Sequence, residues 1–254
     1  MIVIAPLALI TGGHRRLGAR VALALAEAGC AIAVHGSHDA EPDAELTAGL
    51  AATGVDWHGF VADFEQPESA VQLMRAVMEH FGRAPDILVN SAAMFGQDRL
   101  ESVTADDLMR HYAVNCVAPV LLTRAFAEGA STSPDRCVVN ILDQRLANPH
   151  GDQLSYTLGK QALAGFTRIA ARELAGRGIR VNAVAPGLTI ATDDYDGARM
   201  ERIAGLMPLR RLPQPEQIAE AVLYLTRATA VTGQVIAVDA GAHMESFARD
   251  FLYL

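Results

Sequence analysis

Short apolar runs alternate along this chain with longer segments of helical periodicity. Leu7–Ile10, Ala31–Val34, Gly59–Val61, Ile87–Val89, Cys137–Leu142, Arg180–Val184 and Val235–Val238 predict buried strands. Between them, Arg16–Ala28, Ala44–Ala52, Glu68–Phe81, Ala105–Ala127, Gln153–Ala175 and Pro215–Thr226 carry apolar residues at the helical period and predict helices. Strand–helix alternation implies right-handed βαβ units. The fold class is therefore α/β, a mostly parallel seven-stranded sheet with helices on both faces. Near-continuous apolar strands suit a sheet covered on both sides. Turn chemistry agrees: Thr104 to Asp107 forms a capping-box-like start. Gly29, Gly82 and Gly178 follow helical stretches, where a left-handed residue is wanted. One stretch, 185–213, is irregular and rich in Asp, Gly, Pro and Arg. The expectation is a single domain over 1–254 with a mobile substrate loop around 185–213.

Composition narrows the function classes. The 254 residues are 51% hydrophobic and 20% charged, which excludes a disordered chain and supports a sizeable core. With 29 acidic against 21 basic residues the net charge is −8, which argues against a nucleic-acid surface. Cys30, Cys116 and Cys137 are widely spaced and form no C-x-x-C. Neither a metal site nor a disulfide framework is indicated, and a reduced, cytoplasmic compartment fits. No apolar run reaches the roughly 20 residues that span a bilayer, and the first residues lack a signal peptide's basic start. No membrane partner is expected.

Two places carry chemistry. The first strand runs into Thr11-Gly-Gly-His-Arg-Arg-Leu-Gly18 and then a helix. Glycines at such a turn let the backbone approach a pyrophosphate, and the helix N-terminus supplies free N–H groups and partial positive charge. The strict G-x-G-x-x-G spacing is absent. Further on, Tyr156 and Lys160 stand four residues apart on a predicted helix and share a face. Hydride transfer to C=O or C=N needs a proton as well. Free tyrosine, pKa near 10, is a poor acid–base at neutral pH, and a nearby ammonium lowers that pKa by stabilising the phenolate. The plain alternative is an ordinary amphipathic helix.

Taken together, Thr11 to Gly18, Leu88-Val-Asn-Ser-Ala-Ala93, Tyr156-Thr-Leu-Gly-Lys160 and Arg180-Val-Asn-Ala-Val-Ala-Pro-Gly187 resemble four motifs of the short-chain dehydrogenases/reductases. Order and spacing match, and the resemblance runs from Leu7 to about Gly241. It implies a Rossmann-type, doubly wound NAD(P)-binding domain. Gly12, Leu17, Asp63, Phe64, Asn90, Ala92, Pro186, Gly187 and Thr189 would then surround the cofactor. Tyr156 and Lys160 would act in catalysis and also contact the cofactor, and Asn115 would complete a proton relay. The family builds dimers and tetramers on helices 105–127 and 153–175, so a homotetramer is implied. The aromatic C-terminal stretch 247–254 is a candidate for a subunit interface, for closing a neighbour's active site, or for core packing.

The departures are informative. Arg16 replaces the middle glycine of T-G-x-x-x-G-x-G, as in the pteridine reductase branch, where the arginine reaches the cofactor's 2′-phosphate. A guanidinium binds phosphate bidentately. Arg15 and Arg16 also oppose the helix macrodipole, which favours an anion partner over a merely solvated first turn. The second strand ends in Ala33-Val-His-Gly-Ser-His38, with no acid before Asp39. Ser37 and His38 can hydrogen-bond a phosphate without repelling it, so NADPH is expected over NADH, and His35 is counted with them among the cofactor contacts. Where the family has a serine, this chain has Asp143. One reading is a specialised proton partner, as in the pteridine reductase branch; the other is loss of ordinary carbonyl-reductase activity. Phe95 aligns with a phenylalanine that stacks a pterin in that branch. The expected substrate contacts are thus Phe95, Asp143 and Tyr156. The expected function is NADPH-dependent reduction of a dihydropterin- or dihydrofolate-like C=N. The alternatives are a carbonyl reductase of 3-oxoacyl, sugar or small ketone substrates, and a non-catalytic NADPH-binding module.

Overall fold

The computed structural model describes residues 5–39, 41–130, 135–190 and 195–254. Seven strands, β1 (Leu7–Thr11), β2 (Ala31–Gly36), β3 (Trp57–Val61), β4 (Ile87–Asn90), β5 (Arg136–Ile141), β6 (Ile179–Pro186) and β7 (Val235–Val238), form one parallel sheet. Their order is β3-β2-β1-β4-β5-β6-β7. The helices are α1 (Arg16–Glu27), α2 (Ala44–Thr53), α3 (Glu68–Phe81), α4 (Ala105–Tyr112), α5 (Ala118–Glu128), α6 (Leu154–Leu174), α7 (Gly197–Leu206) and α8 (Pro215–Arg227).

Strand alternation sorts the core into two layers. Leu7, Leu9, Leu88, Val138 and Val181 face Leu73 and Met74 of α3, Leu122 and Phe126 of α5, and Leu174 of α6. Ala8, Ile10, Ile32, Val34 and Val139 face Val21 and Leu25 of α1, Leu50 of α2, and Ile218 and Val222 of α8. Each fully buried Leu, Ile or Phe contributes about 1.5–3 kcal/mol, so both faces of the sheet are energetically committed. The three cysteines are buried and unbonded to one another.

Two expectations are corrected. The segment Ala105–Ala127 is not one helix, because a π-helical turn, Ala113–Val117, separates α4 from α5. Apolar periodicity runs through the turn unbroken, so the sequence pattern concealed it. The stretch 185–213 is not wholly irregular either. β6 continues to Pro186, and α7 follows, its first turn capped by Asp196 accepting from the Arg199 N–H at 2.7 Å. Ile203 is its one fully buried position, too few to show a helical stripe. Residues 191–194 lie outside the described residues.

The C-terminal stretch packs on its own chain. Phe251 is buried with Ile203, Met207 and Ala242. Among the described residues, no helix is long and apolar enough to cross a membrane, and no three His, Cys, Asp or Glu side chains group around a metal-sized centre.

Candidate active site

The loops after β1, β4, β5 and β6 gather at the carboxyl end of the sheet, where ligands bind in open α/β folds. The turn after β1 is built for close backbone approach. A Cβ at Gly12 would lie 2.8 Å from the Ala92 Cα, and one at Gly18 would lie 2.1 Å from the Gly12 oxygen. Thr11 Oγ1 accepts the N–H groups of Ser91 and Ala92, both at 3.1 Å, tying β1 to the loop after β4. At the start of α1, Arg15 makes no side-chain cap, and no acid stands in the first turn. That helix end leaves N–H groups for an anion. Arg15 and Arg16 are exposed there, and Leu17 packs partly against the core. Arg16 holds φ +55°, a left-handed backbone at the place where the resembled motif has glycine.

Around this turn the proposed cofactor residues divide. Ser37 and His38 are exposed, paired at 2.6 Å. His35 is not available as a phosphate donor. It is buried, with one ring nitrogen on the Ala62 oxygen at 2.8 Å and the other accepting the Gly12 N–H at 3.2 Å. Burial lowers its pKa to about 4, so the ring is neutral. His35 shapes the glycine turn from beneath, with Phe64 stacked on it at 4.4 Å. Asp63 is exposed and accepts the Glu65 N–H at 3.0 Å, a turn cap. Asn90 is buried and donates to Asn140 at 2.8 Å, while its Oδ1 has no hydrogen-bond partner among the described residues. Pro186 ends β6. Gly187 follows, where a Cβ would meet the Asp239 Cα at 2.9 Å, and Thr189 is half-buried nearby in sequence. Cradle, exposed cations and an orphaned acceptor together fit a phosphate-bearing dinucleotide.

At the other end, Tyr156 and Lys160 lie one turn apart on α6, both almost fully buried. The Tyr156 hydroxyl donates to Asp143 Oδ2 at 2.9 Å. Lys160 does not bond the phenol: its Nζ donates to the Ile141 oxygen at 2.6 Å and lies 5.9 Å from the tyrosine ring centre. The expected acidified phenol is therefore corrected. Burial first, and then the Asp143 carboxylate, push the Tyr156 pKa well above its usual value, while Arg145 pulls the other way. Burial lowers Lys160 to about 8. At neutral pH the phenol holds its proton, which is the form a donor needs.

Asp143 is paired through Arg145, which the sequence reading did not single out. Asp143 Oδ1 accepts the Arg145 backbone N–H at 2.9 Å and its Nε at 3.3 Å. The guanidinium also reaches Gln153 at 2.6 Å and Asp250 at 2.9 Å. A cation two residues after Asp143 was visible in the sequence; Asp250, 105 residues away, gave no signal. Ser155 turns away from Tyr156 and bonds Asp98.

Phe95 stacks on the Tyr156 ring at 4.2 Å, yet 59% of it remains exposed. Its loop is fixed by Asn115 in the π-helical turn, whose side chain accepts from and donates to the Met94 backbone, both at 3.0 Å. π-helical turns recur at functional sites. Gly159 makes room for this turn, since a Cβ there would meet the Asn115 Cβ at 3.0 Å.

A sequence profile described as enoyl-(acyl carrier protein) reductase matches residues 13–243. The chain belongs to the short-chain dehydrogenase/reductase family. Among relatives of this short-chain reductase, a 3-oxoacyl-(acyl-carrier-protein) reductase of Synechocystis sp. is 31% identical, covering 94% of this chain and 98% of that one. Pteridine reductase 1 of Leishmania tarentolae is 32% identical, covering 93% and 96%. A solved structure of FolM alternative dihydrofolate reductase 1 from Brucella canis, complexed with NADP, superposes with a TM-score of 0.88 at 32% identity, covering 96% of each chain.

Proposed function

We propose that this short-chain reductase uses NADPH to reduce a C=N bond of a flat, fused-ring substrate of the dihydropterin or dihydrofolate class. The observation that carries the reading is the grouping of Tyr156, Asp143 and Phe95: a protonated phenol on a carboxylate, beside a largely exposed aromatic face. When bound, NADPH would supply a hydride. Arg16, with Ser37 and His38, would bind its 2′-phosphate; Gly12 and the start of α1 would hold its pyrophosphate; Asn90, Ala92 and the Pro186–Thr189 segment would border the nicotinamide end.

The chain's own groups then manage the proton. The Tyr156 hydroxyl gives its proton to the substrate nitrogen. The phenolate that remains is flanked by Arg145, whose guanidinium carbon is 5.3 Å from the ring centre, and by Lys160. Arg145 counters part of the Asp143 charge, which opposes phenolate formation. Phe95 offers its open face to a planar ring. In this reading α7 and the segment 185–189 would border the substrate, within a single domain.

A second reading is reduction of 3-oxoacyl or other small ketones, favoured by the sequence relatives that carry that name. NADPH consumption against dihydropterin, dihydrofolate, a 3-oxoacyl thioester and a simple ketone separates the two. Preference for the pteridines supports the first reading, and preference for the ketones replaces it with the second.

A further inference from the structure

We propose that Arg145, anchored from outside by Asp250, is a positioning residue that keeps one oxygen of Asp143 free for the Tyr156 hydroxyl. The inference rests on the reading of Tyr156 as proton donor and deepens it.

A free guanidinium beside a carboxylate forms a bidentate pair that occupies both oxygens. That pairing at Asp143 would displace the phenol. Here it does not form. One terminal nitrogen of Arg145 is drawn to Gln153 at 2.6 Å and the other to Asp250 Oδ2 at 2.9 Å. Only Nε, at 3.3 Å, and the backbone N–H face Asp143, and both meet Oδ1. Oδ2 is left to Tyr156.

Both anchors are themselves held. Gln153 sits at φ +56° just before α6, a left-handed backbone that disfavours residues other than glycine. Such strain persists where the surroundings impose it, commonly at active sites. Asp250 is buried. Its N–H donates to Asp152 at 2.9 Å, its Oδ1 accepts from Leu252 at 3.0 Å, and Phe251 beside it is buried against α7.

Other charged groups face this cluster. Lys160 on α6 lies 5.9 Å from the Tyr156 ring centre, and its charge is favoured by Asp143. Arg249 bonds Asp152 at 2.8 Å, and Arg99 approaches Asp152 at 3.5 Å. The Tyr195 hydroxyl is 3.5 Å from Asp250. His150 lies 3.9 Å from Asp250, but burial and the nearby Arg145 lower its pKa. Arg145 is therefore the cation that Asp250 serves.

The test is a double-mutant cycle. In Asp250→Asn, with its shape kept and charge removed, kcat for dihydropteridine reduction should fall about tenfold, while KM and NADPH affinity stay within about twofold. In an Asp143→Asn background the same change should cost nothing further. Asp250 raises the Tyr156 pKa and Arg145 lowers it. The ultraviolet titration of Tyr156, read as the difference from Tyr156→Phe, should accordingly move down in pH for Asp250→Asn and up for Arg145→Gln. Unchanged kcat, equal losses in both backgrounds, or tyrosine titrations moving the same way would overturn the proposal. If the wild-type enzyme reduces none of the substrates, the functional reading fails, and ultraviolet difference titration of Tyr156 against Tyr156→Phe decides the positioning role without turnover. Opposite shifts in the two variants sustain it; no shift, or shifts of one sign, reject it. Should Arg145→Gln not fold, the cycle and the downward shift in Asp250→Asn carry the test alone.

Discussion

Replacing Lys160 with methionine should abolish turnover and yet stabilise the protein near neutral pH. Lys160 is 1% exposed, and burial takes its pKa from 10.5 in the unfolded chain to about 8. A gap of about 2.5 units corresponds to roughly 3 kcal/mol of cost for burying the charge. That cost is complete below pH 8, declines as pH rises, and is gone above 10.5. Between those values the unfolded chain binds the proton and the folded chain does not, so stability rises by about 1.4 kcal/mol per pH unit. The methionine variant has no such slope. It loses the bond to the Ile141 oxygen, worth about 1 kcal/mol, which leaves a net gain of about 2 kcal/mol at pH 7. Urea unfolding of both proteins between pH 7 and 10 measures this, because the other titrating groups cancel on subtraction. Wild type should gain on the variant by about 2–3 kcal/mol from pH 8 to 10. A difference that stays flat with pH would refute the reasoning.

Two further changes probe the ends of the site. Arg16→Gly removes the guanidinium and relieves a left-handed backbone, so stability should rise by about 1 kcal/mol while NADPH affinity falls about tenfold and NADH affinity holds. Fluorescence titration with both dinucleotides checks it, and equal weakening of the two would contradict a 2′-phosphate contact. Asp143→Ser should lower dihydropteridine turnover and raise ketone reduction. If both activities fall together, the aspartate is no specialisation for pteridines.

The sheet and most helices were legible because strand and helix periods differ, and because Gly29, Gly82 and Gly178 punctuate them; all three adopt positive φ. What escaped left no mark of its own in the apolar pattern. The turn around Asn115 keeps the apolar spacing of a continuous helix, and α7 buries too little to mark a stripe. At the site, spacing placed Tyr156 and Lys160 on one face but could not show where a long side chain ends. The ammonium reaches a backbone oxygen, and the phenol reaches Asp143 instead. The place of His35 is hidden for a similar reason: its position at the end of β2 suggests a ligand contact, whereas the fold buries it with Nδ1 accepting the Gly12 N–H. Asp250 was invisible, since nothing local links the end of the chain to the loop after β5.

The central claim is that a neutral Tyr156 delivers the proton that accompanies hydride transfer. The most direct measurement is steady-state NADPH oxidation with a dihydropteridine by wild type and Tyr156→Phe, alongside NADPH binding. The account expects turnover to drop by at least about 100-fold while NADPH affinity stays within about twofold. Turnover by the phenylalanine variant at the wild-type rate would contradict it.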